Sequence, residues 1–484
     1  MTTPAPEPLL SLRTYIDELR RLGEIQDVTG AHWDLELGAI AELSYRMPAP
    51  PALLFDDIVD YPSGARVLTG STGNARRLGT VLRLGDDLDD ARLTSALRGK
   101  PGEWARTAPD YPVTDVDEAP LLENVVEGDD VDLLRFPVPR WHDGDGGRFI
   151  GTGCLVITSD PDTGIHNGGC YRMQVQDEGR ATTISAVPGK HGALNIERWF
   201  EREGRAPVTV SFGHDPLLLV LGGTEVPGGV SELEYAGAVL GESVPVVRGA
   251  ETGLPIPAGA EIAVEGWLTP DNRRIEGPFG EWTGYYAGNP SPALNLTVSR
   301  LLFRNDPILL GAPPGKPPHD YSYMRTALKS AMIEDQLVGL GVRGVRSAWA
   351  HETGGGRLFI VVSISQQYAG HARQVGQLAA HLPTAAYMNR YVVVVDDDID
   401  AADLGEVIWA MSTRTDPAID IEINTRTWGS KLDPMLPKDQ PPFNSRAVID
   451  ACIPFERRKN FPRVAVSDPS YLQSVAQKWA AVLG

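Results

Sequence analysis

Two carboxylates, Glu276 and Glu281, flank the turn Gly277-Pro278-Phe279-Gly280, which is too irregular for a helix interior and can point both acids into one cavity. If their surroundings push the two pKa values apart, one holds a proton while the other stays charged, the division that acid/base catalysis needs. An arbitrary pair at this spacing is more often two solvated loop carboxylates, but the glycines and proline between these fix the backbone sharply. Upstream, Asn167 and Arg172 lie in His166-Asn167-Gly168-Gly169-Cys170-Tyr171-Arg172-Met173-Gln174, a glycine turn feeding an alternating strand. The planar fork of Arg172 suits a carboxylate or phosphate, although a surface ion pair is the commoner use of an arginine. On one continuous strand Asn167 and Arg172 would face opposite ways, so they share a site only if Asn167 lies in the turn. His191 follows Pro188-Gly189-Lys190, and Glu232 ends Gly229-Val230-Ser231-Glu232; both sit on polar turns beside the start of an element. Imidazole, carboxylate and amide oxygen together suit Mn2+ or Mg2+ and leave room for a phosphate. Any one such histidine is more often structural, so the metal set needs a wider pattern to support it.

The elements that must position these groups can be read from periodicity. Ser11 caps a helix in which Leu12, Tyr15, Ile16, Leu19 and Leu22 share a face, and Gly23 stops it. With Asp87 to Leu97 also helical, residues 1–120 read as an N-terminal α/β domain. From 121 to 320 the texture is β-rich: Gly153 to Thr158, Val208 to Phe212, Leu217 to Leu221 and Ala260 to Val264 are short strand candidates between turn residues, as in a barrel or sandwich. Tyr321 to Leu340 reads as a long helix linking two domains, assigned to 321–343. In 344–484, strand signals at Leu358 to Ser365 and Tyr391 to Val395 alternate with helix signals at Gly370 to Leu382 and Ala402 to Met411, an α/β pattern. The run Asp396-Asp397-Asp398-Ile399-Asp400 lacks the glycine and closing glutamate of a calcium loop and reads as a solvated strand end. His142, His214, His319, His351, His371 and His381 form no metal-spaced pair and read as structural.

Composition narrows the class. A length of 484 residues implies two or three domains, 51 Gly and 39 Pro imply many turns, and a net charge of −20 disfavours a nucleic-acid partner. Three cysteines, Cys154, Cys170 and Cys452, make neither a disulfide framework nor a zinc ribbon, which fits a reducing cytoplasm. Met1 to Leu10 lack a basic stretch followed by an apolar one, and no run is long enough to span a bilayer, so no membrane partner is expected. There is no P-loop, GxGxxG, GxSxG or HExxH motif.

Taken in order along the chain, these motifs resemble the UbiD family of decarboxylases. The likeness runs from Leu12-Arg13 to Leu22-Gly23-Glu24, through Asn167 to Gln174, Ser231-Glu232-Leu233-Glu234-Tyr235-Ala236-Gly237, Pro257 to Ile262 and Glu265-Gly266, to Glu276–Glu281 with Thr283-Gly284-Tyr285-Tyr286, the strongest match. It continues through Tyr368 to Arg373, Thr413-Arg414 and Ser430 to Pro434. The resemblance implies a mixed α/β multidomain fold: an N-terminal α/β domain, a split β-barrel-like cofactor domain, a linking helix and a C-terminal α/β oligomerisation domain. It implies reversible, non-oxidative decarboxylation of an α,β-unsaturated (acrylic or polyenoic) or aromatic acid by cycloaddition to prenylated FMN. By the same resemblance, Asn167, His191 and Glu232 hold Mn2+ (or Mg2+), with Glu234 the alternative to Glu232. K+ assists in anchoring the cofactor phosphate, and Lys190 and Arg172 are further cofactor contacts. The catalytic group becomes Arg172 on the substrate carboxylate, Glu281 as proton donor, and Glu276 orienting Arg172. A flavin prenyltransferase is implied as cofactor supplier, and a homodimer as the assembly, with a hexamer as runner-up. The pocket is expected to be closed by Lys316-Pro317-Pro318 and by Ile449 to Pro454, where Ala447, Ala451 and Ile453 favour an acrylic or polyenoic acid over a phenolic one. Two other functions compete: an FMN-dependent oxidoreductase, and a non-catalytic cofactor-binding subunit.

Overall fold

The computed structural model describes residues 9–185, 189–224, 226, 229–288 and 290–483. Pro188 and the first eight residues, used in the reading of the sequence, lie outside that set. The first helix, Leu12–Leu22, begins as its sequence dictates: the Ser11 side chain accepts from the Arg13 N–H, and Gly23 ends the helix at φ 70°. It packs near a four-stranded sheet in the order Ile25–Thr29, Ala52–Asp56, Arg66–Thr69, Ile308–Leu310. The last of these strands comes from far along the chain, so the N-terminal region is completed by a segment that follows the central one.

The central region is a ten-stranded antiparallel sheet. Its path runs Phe149–Gly151, Met173–Gln176, Ala181–Ile184, Ser291–Phe303, Ile262–Leu268, Ala206–Phe212, Cys154–Ser159, His166–Gly169. Strands Arg273–Glu276 and Asn124–Glu127 pair with the two halves of the long strand Ser291–Phe303. Strand His166–Gly169 ends the path, yet only Cys170, Tyr171 and Arg172 separate it from Met173–Gln176, second from the other end. So short a link spans at most about 14 Å, so the sheet must curl until its two ends nearly meet. That near-closure is what builds the site.

Helix Asp320–Gly339 leads to a five-stranded sheet in the order Val345–Ala350, Phe359–Ile364, Tyr391–Asp396, Phe443–Ala451, Ile421–Trp428. Its central strands are apolar on both faces, as parallel strands sandwiched by helices require. Asp320–Gly339 and His371–His381 pack on one face, and among the described residues the other is covered by Leu404–Arg414 with Ile399 and Ala401 before it.

Two local expectations are overturned. Leu217 to Leu221 is not a strand but the middle of helix Pro216–Gly222, because Asp215 caps it through the Leu217 N–H and Pro216 occupies its first turn. A short apolar run carries no periodicity by which to choose. Nor is Asp396 a solvated strand end: it is buried, paired with Arg414 and bonded by Gln366 Nε2 and the Ile453 N–H, while Asp398 takes two further bonds from Arg414.

Candidate active site

Arg172 leaves the three-residue link between the sheet ends and points into a cavity of about 580 Å3. Glu276, the last residue of its strand, grips the guanidinium with both oxygens: Nε donates to Oε1 at 2.7 Å and Nη2 to Oε2 at 2.9 Å. Nη1 pairs with Glu281 on the far side of the turn. Both glutamates are buried. Burial raises the Glu281 pKa above the usual carboxylate range despite the opposing pull of Arg172, so this acid is inclined to hold a proton. Burial works against the charge of Arg172, but the two carboxylates outweigh it and raise its pKa further.

The turn that carries Glu281 is held from below. Gln174, two residues beyond Arg172, accepts the Gly277 N–H at 2.8 Å through Oε1 and donates from Nε2 to the Gly146 carbonyl at 3.1 Å. Gly146 N–H bonds the Pro278 carbonyl, and a Cβ on Gly146 would lie 2.0 Å from the Gly277 oxygen, so only glycine fits there. Glu281 closes its own small turn, with its N–H on the Tyr285 carbonyl and its carbonyl receiving the Gly284 N–H. Gln174 therefore ties the strand bearing Arg172 to the loop bearing both acids.

A second group lines the same cavity. Glu232 is the first residue of helix Glu232–Leu240 and is buried; Oε2 accepts the Gly168 N–H at 2.6 Å and Oε1 accepts Asn167 Nδ2 at 3.0 Å. Desolvation pushes its pKa up to about 7. Because Asn167 spends its amide nitrogen on Glu232, its Oδ1 faces the other way, buried and without a hydrogen-bond partner. Gly192 packs against that oxygen, a Cβ there lying 2.9 Å away. His191, immediately before it, opens helix His191–Glu203 and lines the cavity beside Lys190, whose Nζ lies 5.7 Å from the Tyr387 ring centre. A buried carboxylate that resists its charge and an orphaned amide oxygen are what a small divalent cation would satisfy. Among the described residues no three His, Cys, Asp or Glu side chains gather as a metal site; this set has two, with an amide as the third. Glu234, the alternative ligand, does not line the cavity.

The parity difficulty with Asn167 resolves differently from the expectation. Asn167 lies within strand His166–Gly169, not in the turn, and the strand breaks at Cys170 to Arg172 instead. The expected pocket closure is also corrected. Ile449 to Pro454 are not among the residues that line the cavity, and Ala447, Ile449 and Ala451 are packed in the sheet core. Lys316 and Pro318 line a separate cavity of about 190 Å3 beyond Gly280 and Pro314. The C-terminal wall is made by Arg357, Tyr387 and Leu432. Arg325 and Arg357 flank the Trp282 indole at 5.8 and 5.9 Å, and Arg357 lies 5.2 Å from the Tyr387 ring. These residues were not found from the sequence; the one signal was Gly354-Gly355-Gly356 before Arg357, where a Cβ on Gly355 would strike the Trp282 ring at 2.5 Å.

The family models for the N-terminal, Rift-related and C-terminal domains of 3-octaprenyl-4-hydroxybenzoate carboxy-lyase match residues 16–97, 112–317 and 322–451. The chain belongs to the UbiD family. It is a UbiD-like carboxy-lyase. It is 33% identical over 434 residues to a pyrrole-2-carboxylic acid decarboxylase of Pseudomonas aeruginosa, covering 85% of this chain and 84% of the other. It is 30% identical to a phenolic acid decarboxylase of Streptomyces sp. strain D7, covering 98% and 97%. Among solved structures, the UbiD-class enzyme HmfF from Pelotomaculum thermopropionicum in complex with FMN superposes with a TM-score of 0.84 at 26% identity, over 98% of this chain and all of the other. An evolved dimeric form of HmfF, in complex with prFMN, gives 0.79 at 26% identity over 96% and 98%. The UbiD fold here is mixed α/β and multidomain, and no helix among the described residues is long and apolar enough to cross a membrane.

Proposed function

We propose that this chain catalyses reversible, non-oxidative decarboxylation of a flat α,β-unsaturated or aromatic carboxylic acid, using prenylated FMN held by Mn2+ (or Mg2+) and K+. The observation that carries this reading is the arrangement of Arg172 between Glu276 and Glu281 on one wall of a cavity whose other wall holds Asn167, His191 and Glu232. The decarboxylases of pyrrole-2-carboxylic and phenolic acids among the relatives, and the prFMN complex of HmfF, support it.

Asn167 Oδ1, Glu232 and His191 would hold the divalent ion, and the amino end of helix His191–Glu203 with Lys190 would receive the cofactor phosphate. Prenylated FMN, when bound, supplies the electron sink that lets a carboxyl group leave an unsaturated carbon. Arg172 binds the substrate carboxylate, its plane fixed by the two-pronged grip of Glu276. Glu281, inclined by burial to stay protonated, delivers its proton to the carbon that CO2 leaves, and in the reverse direction takes it back. Phe279, Trp282, Tyr387 and Leu432 offer a flat apolar lining that excludes water from the carbanionic carbon.

Co-expression with a flavin prenyltransferase, followed by mass spectrometry of the released cofactor, metal analysis and CO2 assays on cinnamic, benzoic and heteroaromatic acids, tests the reading. Prenylated FMN with near-stoichiometric divalent metal and CO2 release is the expected result. Plain FMN reduced by NAD(P)H would establish the oxidoreductase, and retained cofactor without turnover on any acid would establish a carrier.

A further inference from the structure

The cavity wall holds a second pair of cations, Arg325 and Arg357, neither of them needed to bind or protonate a monocarboxylate. Helix Asp320–Gly339 presents Tyr321 and Arg325, one turn apart, to the cavity. Tyr321 is pinned by its hydroxyl, which donates to the Thr152 carbonyl at 2.8 Å, so this end of the helix is fixed against the central sheet. Arg357 reaches the same wall from the loop that ends at Gly356, where an added Cβ would lie 2.9 Å from the Arg325 Cβ. The loop is thus pressed onto the helix at Arg325, and the two guanidinium groups open on one side of the cavity.

Their place relative to the acid is defined. The turn Phe279 to Trp282 has a guanidinium at each end, Arg172 at 5.8 Å from the Phe279 ring centre and Arg325 at 5.8 Å from that of Trp282, with Glu281 between. Arg325 is near enough to Glu281 to oppose, with Arg172, the rise of its pKa. An aromatic or polyenoic monoacid brings one charge, which Arg172 meets, and the rest of it asks only for apolar lining such as Phe279, Trp282 and Leu432. Burying a guanidinium beside that lining costs free energy. Each arginine is held in part by other contacts, yet Arg325 Nε and Nη1 and Arg357 Nη1 are buried and make no hydrogen bond among the described residues. Donors in that state suit a ligand that brings charged acceptors.

We propose that the substrate is a flat dicarboxylic acid, with the carboxylate that leaves on Arg172 and the second, at the far end of the conjugated frame, received by Arg325 with Arg357 beside it. This rests on the decarboxylase reading and narrows it to one substrate class. The bond from the unsaturated carbon to the carboxyl on Arg172 breaks, a C–H bond forms there with the proton of Glu281, and solvent restores that proton. The dianion thus takes up one proton and gives CO2 and a monocarboxylate, with no net oxidation. Arg325 is the residue that sets specificity, because a site built for a second anion rejects the analogue that lacks it.

Matched pairs assayed on the holoenzyme test this: terephthalic against benzoic acid, trans,trans-muconic against sorbic acid, and pyrrole-2,5-dicarboxylic against pyrrole-2-carboxylic acid. In at least one pair the diacid is expected to exceed the monoacid in kcat/KM by 100-fold or more. Arg325→Leu should lower the diacid value at least 50-fold, chiefly through KM, and raise that of the monoacid several-fold, while Arg325→Lys recovers part of the loss. Calorimetric titration of the diacid, which needs no turnover, should show binding at least tenfold weaker in Arg325→Leu, with bound flavin at the native level and circular dichroism confirming the fold. CO2 release from monoacids as fast as from diacids in every pair would overturn the dicarboxylate and leave the decarboxylase standing. Loss of flavin from a folded Arg325→Leu would assign Arg325 to the cofactor and also overturn it. No CO2 from either series, with prenylated FMN bound, would overturn both readings.

Discussion

The two ends of the cavity differ in how complete they are. Around Arg172 the positioning contacts are already made: Glu276 takes two guanidinium nitrogens and Glu281 a third, leaving one N–H on each terminal nitrogen, and Gln174 fixes the loop beneath. Around Asn167 the arrangement is unfinished, with an amide oxygen left over and a carboxylate pushed up to about 7 by burial. A self-satisfied cluster is preorganised, which suits groups that must act on a substrate without moving first. An unfinished one suits a ligand that arrives later and recovers its cost on binding. Substitutions that keep the shape of the first end should therefore damage turnover per bound cofactor, and those at the second should lower cofactor occupancy.

The largest effect is expected from Glu281→Gln, which keeps the shape but removes the proton: kcat falls by about 100-fold or more with cofactor occupancy unchanged. CO2 release together with the bound-flavin spectrum checks this, and near-normal turnover would take Glu281 out of the donor role. Next, His191→Ala should weaken metal binding by about 10- to 100-fold and lower cofactor occupancy with it. Excess Mn2+ during reconstitution should restore both, and unaltered metal and flavin content would break the contrast. The pH dependence follows from Glu281. Its pKa is raised, so the acid form is complete at low pH and lost as pH rises through that value; kcat should fall on the alkaline side by up to about tenfold per pH unit. A kcat that climbs with pH through that range would contradict it. The smallest effect is expected from Gln174→Leu, which leaves the Gly277 N–H and the Gly146 carbonyl without partners. About 1–3 kcal/mol of stability is lost, with kcat reduced several-fold and KM little changed; a thermal melt and a kcat against KM comparison measure the two parts.

What could be read from the sequence, and what could not, follows the range of the interactions. Helix Leu12–Leu22 was legible to the residue because a serine cap, a five-residue apolar face and a stopping glycine are all local. Helix Asp320–Gly339 was legible for the same reason, a periodic stripe sustained over five turns. The turn at Glu276 to Glu281 announced itself by glycine and proline. Asn167 was misplaced into a turn because the strand break that lets it share a cavity with Arg172 is imposed by the curl of the sheet, which joins strands distant in sequence. The wall formed by Arg357, Tyr387 and Leu432 was not assembled from the sequence, where a glycine run before Arg357 was its one local sign, since it exists only once the C-terminal region is set against the central one. Strands Ile421–Trp428 and Phe443–Ala451 also escaped notice. The first mixes polar and apolar residues across a bulge, and the connection between them is rich in proline.

Trp282 rests against Gly355, with the guanidinium groups of Arg325 and Arg357 at 5.8 and 5.9 Å, so two stretches of the chain distant from it in sequence meet on one indole ring. Tryptophan emission shifts and quenches with the polarity and the nearby charge around the ring. The protein thus carries its own optical gauge at the edge of the cavity: with the other tryptophans replaced, the emission of Trp282 would report any change in the charge and packing that Arg325, Arg357 and Gly355 present to it.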